Sequence, residues 1–156
     1  MTTVTEAGGI SANLAPDAFH RWAQHYYKCR QDFEPPHRFS PVPYFLLCRA
    51  IELEIKGRHL IQRLQSEVKD QFGHDLRKAY EALDTDQKIL SDIELRLLCD
   101  ANDIYDSNKG FEYFNPEDAL TGFSRFPDLD QLDSVTRKLI YEGDAVQSAF
   151  RAALIR

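Results

Sequence analysis

Pro43 to Leu64, PYFLLCRAIELEIKGRHLIQRL, is the stretch from which the rest of the chain takes its arrangement. Wound as a helix at about 100° per residue, it puts Arg49, Glu52, Lys56, His59 and Arg63 on one narrow stripe. Tyr44, Leu46, Leu47, Ile51, Leu53, Ile55, Leu60, Ile61 and Leu64 cover most of the remainder. A helix that apolar around its circumference belongs at the centre of a bundle. Running from about Val42 to Leu64 it would be roughly 34 Å long. Ser40 is placed to cap it, Pro41 and Pro43 suit its first turn, and Gly57 would let another helix approach closely.

Working outward, residues 1–15 read as a polar, glycine-containing mobile arm, and residues 16–156 as a single domain. The first helix starts near Pro16-Asp17 and carries Phe19, Trp22, Tyr26, Cys29 and Phe33 as an aromatic buried stripe, ended by Pro35-Pro36. After the polar segment Gln65 to Phe72, Gly73-His74-Asp75 opens a helix with Leu76, Ala79, Tyr80 and Leu83 inward. Asp84 and Gln87 are spaced as a capping box. The next helix points Leu90, Ile93, Leu97, Ala101 and Ile104 inward and stops at Gly110. Phe111, Tyr113 and Phe114 then form an extended aromatic clip over the bundle. A loop follows, with one helical turn at Pro116 to Leu120. The last helix runs from Asp128 to about Leu154, burying Leu132, Val135, Leu139, Val146 and Phe150, with Gly143 as a bend. The fold class is therefore all-α, an up-and-down bundle of about five helices.

At 156 residues the chain is long enough to bury roughly 70% of its unfolded surface. It should fold without disulfide or metal. Its 25 acidic residues outnumber 19 basic ones for a net charge of −6, which argues against a general nucleic-acid binder and for a protein or small-molecule partner. Cys29, Cys48 and Cys99, odd in number and set in apolar segments, read as reduced core thiols. With no membrane-spanning run and no signal-like start, the expected location is the cytoplasm.

Three motifs then stand in order: Ala50-Ile51-Glu52-Leu53-Glu54-Ile55-Lys56, Gly73-His74-Asp75-Leu76, and Ile104-Tyr105 with Phe111-Glu112-Tyr113-Phe114. Together they resemble the HEPN-like (higher eukaryotes and prokaryotes nucleotide-binding) bacterial helical-bundle proteins. The resemblance covers roughly Tyr44 to Phe114 and implies a bundle of about five helices, commonly a homodimer. It includes metal-independent ribonucleases, toxins paired with small nucleotidyltransferases, and inert scaffolding members. The ribonucleases carry a closely spaced arginine and histidine at the start of a late helix. Here the only arginine followed by a histidine with four to six residues between them is Arg30 with His37, after the first helix and separated by two prolines, and 106–126 contains no histidine. The resemblance therefore implies a non-catalytic interaction module, probed against two alternatives: a divergent ribonuclease using Arg30 and His37, with RNA as its partner, or a nucleotide-binding domain using Lys56 and His74.

Glu52, Lys56, His74 and Asp75 are the candidate polar constellation. They could bind a nucleotide or a partner's carboxylate, or form an internal network fixing the angle between two helices. Phe111, Tyr113 and Phe114 could stack on a base or close a core or dimer interface. His25 and Cys29 share a helix face, but two ligands do not make a metal site, and neither metal nor cofactor is expected.

Overall fold

The computed structural model describes residues 5–7, 10–12 and 15–142. Thr5–Ala7 (β1) and Ile10–Ala12 (β2) form a two-stranded antiparallel pair with Glu6 opposite Ser11, so the expected arm pairs with itself. Seven α-helices follow among the described residues: α1 (Ala15–Asp32), α2 (Val42–His59), α3 (Gln65–Phe72), α4 (Leu76–Glu81), α5 (Asp92–Asn102), α6 (Pro116–Leu120) and α7 (Leu129–Tyr141). They pack as an all-α bundle. No helix among the described residues is long and apolar enough to cross a membrane.

The helix α2 is the central rod, packed against α1, α4, α5 and α7. Every residue from Ile51 to Leu60 is buried. Ser40 Oγ accepts the Val42 N–H at 3.2 Å, but Pro41 takes the cap position and makes no side-chain cap, so the expected Ser40 cap does not form. Gly57 lies beneath α1, where an added Cβ would stand 3.1 Å from Phe19 Cβ and 3.3 Å from the Pro16 carbonyl oxygen. The rod is shorter than expected, its 18 residues spanning roughly 27 Å. Apolar periodicity continues through Ile61 and Leu64, but the chain turns there, and Leu64 is extended with ψ 149°. The polar segment that follows is itself a helix, α3, because Val68 and Phe72 sit four apart and are both buried.

The buried stripe of α1 is displaced by one residue from the expected one. Pro16, His20, Ala23 and Tyr27 face the core, whereas Trp22 is 58% exposed and Cys29 is also exposed; Phe19, Tyr26 and Phe33 are half-buried. The small Ala23 and the partnered His20 let α1 lie close to α2, and the larger rings are left at the margin. A similar shift occurs on α5, where Leu98 and Ala101 are buried but Ile93 is 80% exposed and Leu97 half-buried. Of the three thiols, Cys48 alone is fully buried, with Cys99 intermediate.

The helix α4 buries Leu76, Ala79 and Tyr80 as expected, and Leu83 is buried just beyond its end. The Asp84–Gln87 capping box does not form. Asp84 makes no side-chain cap, and the reciprocal box belongs to Ser91 and Glu94 at the start of α5. A π-helical turn, Asp103–Ser107, closes that helix. Lys109, not Gly110, takes the left-handed conformation, at φ 48°. Gly110 is required for space, since a Cβ there would lie 2.6 Å from Ile104 Cγ2 and 2.9 Å from an Arg125 nitrogen. Gly110→Ala is expected to cost about 1–3 kcal/mol of stability by overpacking buried Ile104, read as a lower urea midpoint at unchanged slope.

Phe111 closes one end of the core, stacked on Tyr44 at 5.4 Å, with Phe126 edge-on to both. The rest of the expected clip is not laid over the bundle. Tyr113 and Phe114 are 68% and 76% exposed, because the chain turns at 110–113 instead of extending. The helix α7 buries Leu132, Val135 and Leu139 as expected, and Thr136 and Ile140 as well. The expectations for Gly143, Val146 and Phe150 lie outside the described residues.

Candidate functional site

Arg49 and Lys56 of the charged stripe gather around Glu52, while His59 bonds the Ala79 carbonyl and Arg63 the Gln71 side chain. The Glu52 carboxylate is only 3% exposed and accepts four donors. Tyr105 Oη, from the π-turn after α5, donates to Oε1 at 2.7 Å; Lys56 Nζ and an Arg49 guanidinium nitrogen reach Oε2 at 3.0 Å and 2.9 Å. His74 Nδ1 donates to Oε1 at 3.0 Å, with Oε2 at 3.2 Å. Lys56 also donates to the Gly73 carbonyl, clamping the turn before α4 to the rod. His74 reaches this place because the Gly73 turn, at φ 53°, delivers the following residue back toward α2.

Burial would raise the Glu52 pKa, but the hydrogen bond from Tyr105 and the charge and hydrogen bonds of Lys56 and His74 outweigh it and hold the carboxyl below its ordinary range. The same contact, added to burial, drives the Tyr105 phenol far upward. A folded-state pKa below the unfolded value of about 4.3 contributes stability that is present above that value. The contribution is lost as pH falls through the depressed one. Urea midpoints measured from neutrality into acid should therefore fall, and fall less steeply in Glu52→Gln.

Asp75, the fourth member of the sequence constellation, does not join Glu52. Its Oδ1 caps α4 by accepting the Lys78 N–H at 3.0 Å, and also accepts from Asn102 Nδ2 at 3.0 Å. Asn102 Oδ1 in turn takes the Leu76 N–H at 2.8 Å, tying α4 to α5. Sequence reasoning missed Asn102, a lone amide with no motif around it. Tyr105 was legible only as part of a longer pattern.

A second buried polar group lies on the other side of the rod, since two residues along a helix turn it about 200°. Glu54, with no exposure, accepts from His20 Nδ1 at 2.7 Å and stands 3.7 Å from Arg58. Arg58 also donates to the carbonyls of Leu139 and of Gln87, the latter at 3.2 Å. Burial raises the Glu54 carboxyl and lowers the Arg58 guanidinium, and each partner opposes the other's shift.

Arg30 and His37 are not presented together on a helix. Arg30 turns to Asp133 of α7 at 3.3 Å, the carboxylate that also accepts Tyr27 Oη at 2.6 Å, and His37 lies exposed in the connector after α1. Among the described residues no group of three or more His, Cys, Asp or Glu side chains is placed to hold a metal.

Beside Glu52 opens a cleft of about 320 Å³. Arg49, Lys56, Lys69 and His74 bring nitrogen to it, and Phe19, Leu53, Leu60 and Val68 supply apolar wall. With the geometry of this site established, comparison with protein-family models, with curated proteins and with solved structures finds no match.

Proposed function

We propose that this chain is a non-catalytic HEPN-like interaction module that works as a homodimer, in a bacterial stress, defence or toxin-antitoxin-like setting with a protein partner such as a nucleotidyltransferase. What supports the non-catalytic reading is the saturation of Glu52. A carboxylate holding four donors and kept ionised has no spare basicity for proton transfer, and Lys56 is held by both Glu52 and the Gly73 carbonyl. Arg30, engaged by Asp133, is likewise poorly placed to share a phosphate with His37.

Purified protein incubated with total RNA in EDTA is expected to leave it intact. Cleavage lost in both Arg30→Ala and His37→Ala would overturn the reading in favour of the ribonuclease. The homodimer is tested by light scattering, where a monomer at high micromolar concentration removes that part. The nucleotide-binding alternative is less favoured because the Lys56 ammonium is already held by Glu52 and Gly73. It requires a thermal shift with millimolar ATP.

A further inference from the structure

Around the cleft beside Glu52 the charge balance of the chain is inverted. The protein carries a net −6, yet Arg49, Lys56 and Lys69 face a single carboxylate here, with His74 alongside. Glu52 neutralises one of these charges and already engages both Arg49 and Lys56. Lys69 is exposed, and its ammonium makes no ion pair or hydrogen bond among the described residues. His74 commits Nδ1 to Glu52 while its side chain stays 59% exposed, which leaves Nε2 at the mouth. The Lys69 ammonium thus stands free where an anion would sit, while Nε2, on a ring whose Nδ1–H is given to Glu52, offers a lone pair beside it.

The other half of the cleft is apolar and continues beyond Arg49. A second hollow, of about 340 Å³, shares Phe19, Arg49, Leu53 and Gln65 with the first and extends to Trp22 on α1. Arg49 therefore stands at the junction between a cationic end and an aromatic end. Small-molecule sites combine an apolar wall with a few polar groups that fix orientation, and this groove is polarised along its length.

We propose that the groove binds an amphiphilic organic anion, its carboxylate or phosphate-monoester head between Lys69 and Arg49 and its apolar body along Phe19 and Leu53 toward Trp22. Lys56 supplies charge to the head through space while remaining bonded to Glu52.

Trp22 is the sole tryptophan and lies at the apolar end. Its emission therefore reports the body of the ligand directly. Protein is titrated with sodium octanoate, octyl phosphate, octanol and inorganic phosphate, with calorimetry as a second readout. The expected result is a saturable blue shift with octanoate, octyl phosphate or both, the preferred one identifying the head group. Lys69→Gln, at an exposed position that leaves the fold intact, is expected to weaken that binding about tenfold, the loss of one charge-assisted hydrogen bond. Octanol binding as tightly as the anions, inorganic phosphate binding as tightly as octyl phosphate, unchanged affinity in Lys69→Gln, or no saturable response at millimolar ligand would each overturn the proposal. None of these outcomes depends on oligomeric state or RNA cleavage.

Discussion

Glu52→Gln is expected to lower the stability of the protein by about 3–5 kcal/mol, the cost of removing one partner from a buried ion pair. The amide keeps the shape of the carboxylate and can still accept from Tyr105, so the loss isolates the charge. Lys56, only 8% exposed, would be left without a counterion, and the clamp on the Gly73 carbonyl would be all that holds it. Against a total stability of about 5–15 kcal/mol for a domain, this is a large fraction. The measurement is urea unfolding followed by helix dichroism, with an expected fall of about 10 °C in Tm as the thermal counterpart. A change under 1 kcal/mol would mean that the Glu52 cluster is not holding the rod to the α4 turn. His74→Gln, at a half-exposed ring, should cost far less than Glu52→Gln, since solvent replaces its hydrogen bond.

Arg58→Ala should be of comparable severity, about 3–5 kcal/mol, for a different reason. It strips two carbonyl acceptors, those of Leu139 and Gln87, and leaves Glu54 facing His20 alone in a site without solvent. A double variant, Glu54→Leu with Arg58→Met, removes both charges and keeps most of the volume. Replacing a whole buried pair by apolar groups is often neutral, so the double variant is expected to be more stable than Arg58→Ala. A double variant less stable than Arg58→Ala would mean that Glu54 holds its place through the His20 hydrogen bond without help from Arg58. Comparing Arg58→Met with Arg58→Ala separates lost packing, which methionine restores, from lost charge.

The centrality of α2 was legible because apolar residues cover most of its circumference, and the Gly73-His74-Asp75 start was legible because a glycine precedes a clean apolar spacing from Leu76. The contact between Glu52, Lys56 and His74 could be anticipated from one favourable i, i+4 pair and one nearby helix start. Other features depended on tertiary context. The buried stripe of α1 is displaced because ring size suggested Trp22 and Phe19, whereas the fully covered positions are the small Ala23 and a His20 partnered by Glu54. Glu54 and Arg58 lie off the charged stripe of α2, and they gain partners only because α1 and α7 cover them. The end of α2 was misplaced because apolar periodicity is the same in a helix and in a buried turn that continues its line.

The hidden charges of Glu52 and Glu54 point to nearly opposite sides of one greasy cylinder, and that arrangement governs its azimuth. A rod clad only in aliphatic side chains could roll within its socket at little cost, each leucine trading places with the next. Here any such roll would tear both carboxylates from their donors at once, so the helix is keyed like a shaft with pins on two sides, and its neighbours inherit a fixed bearing from it.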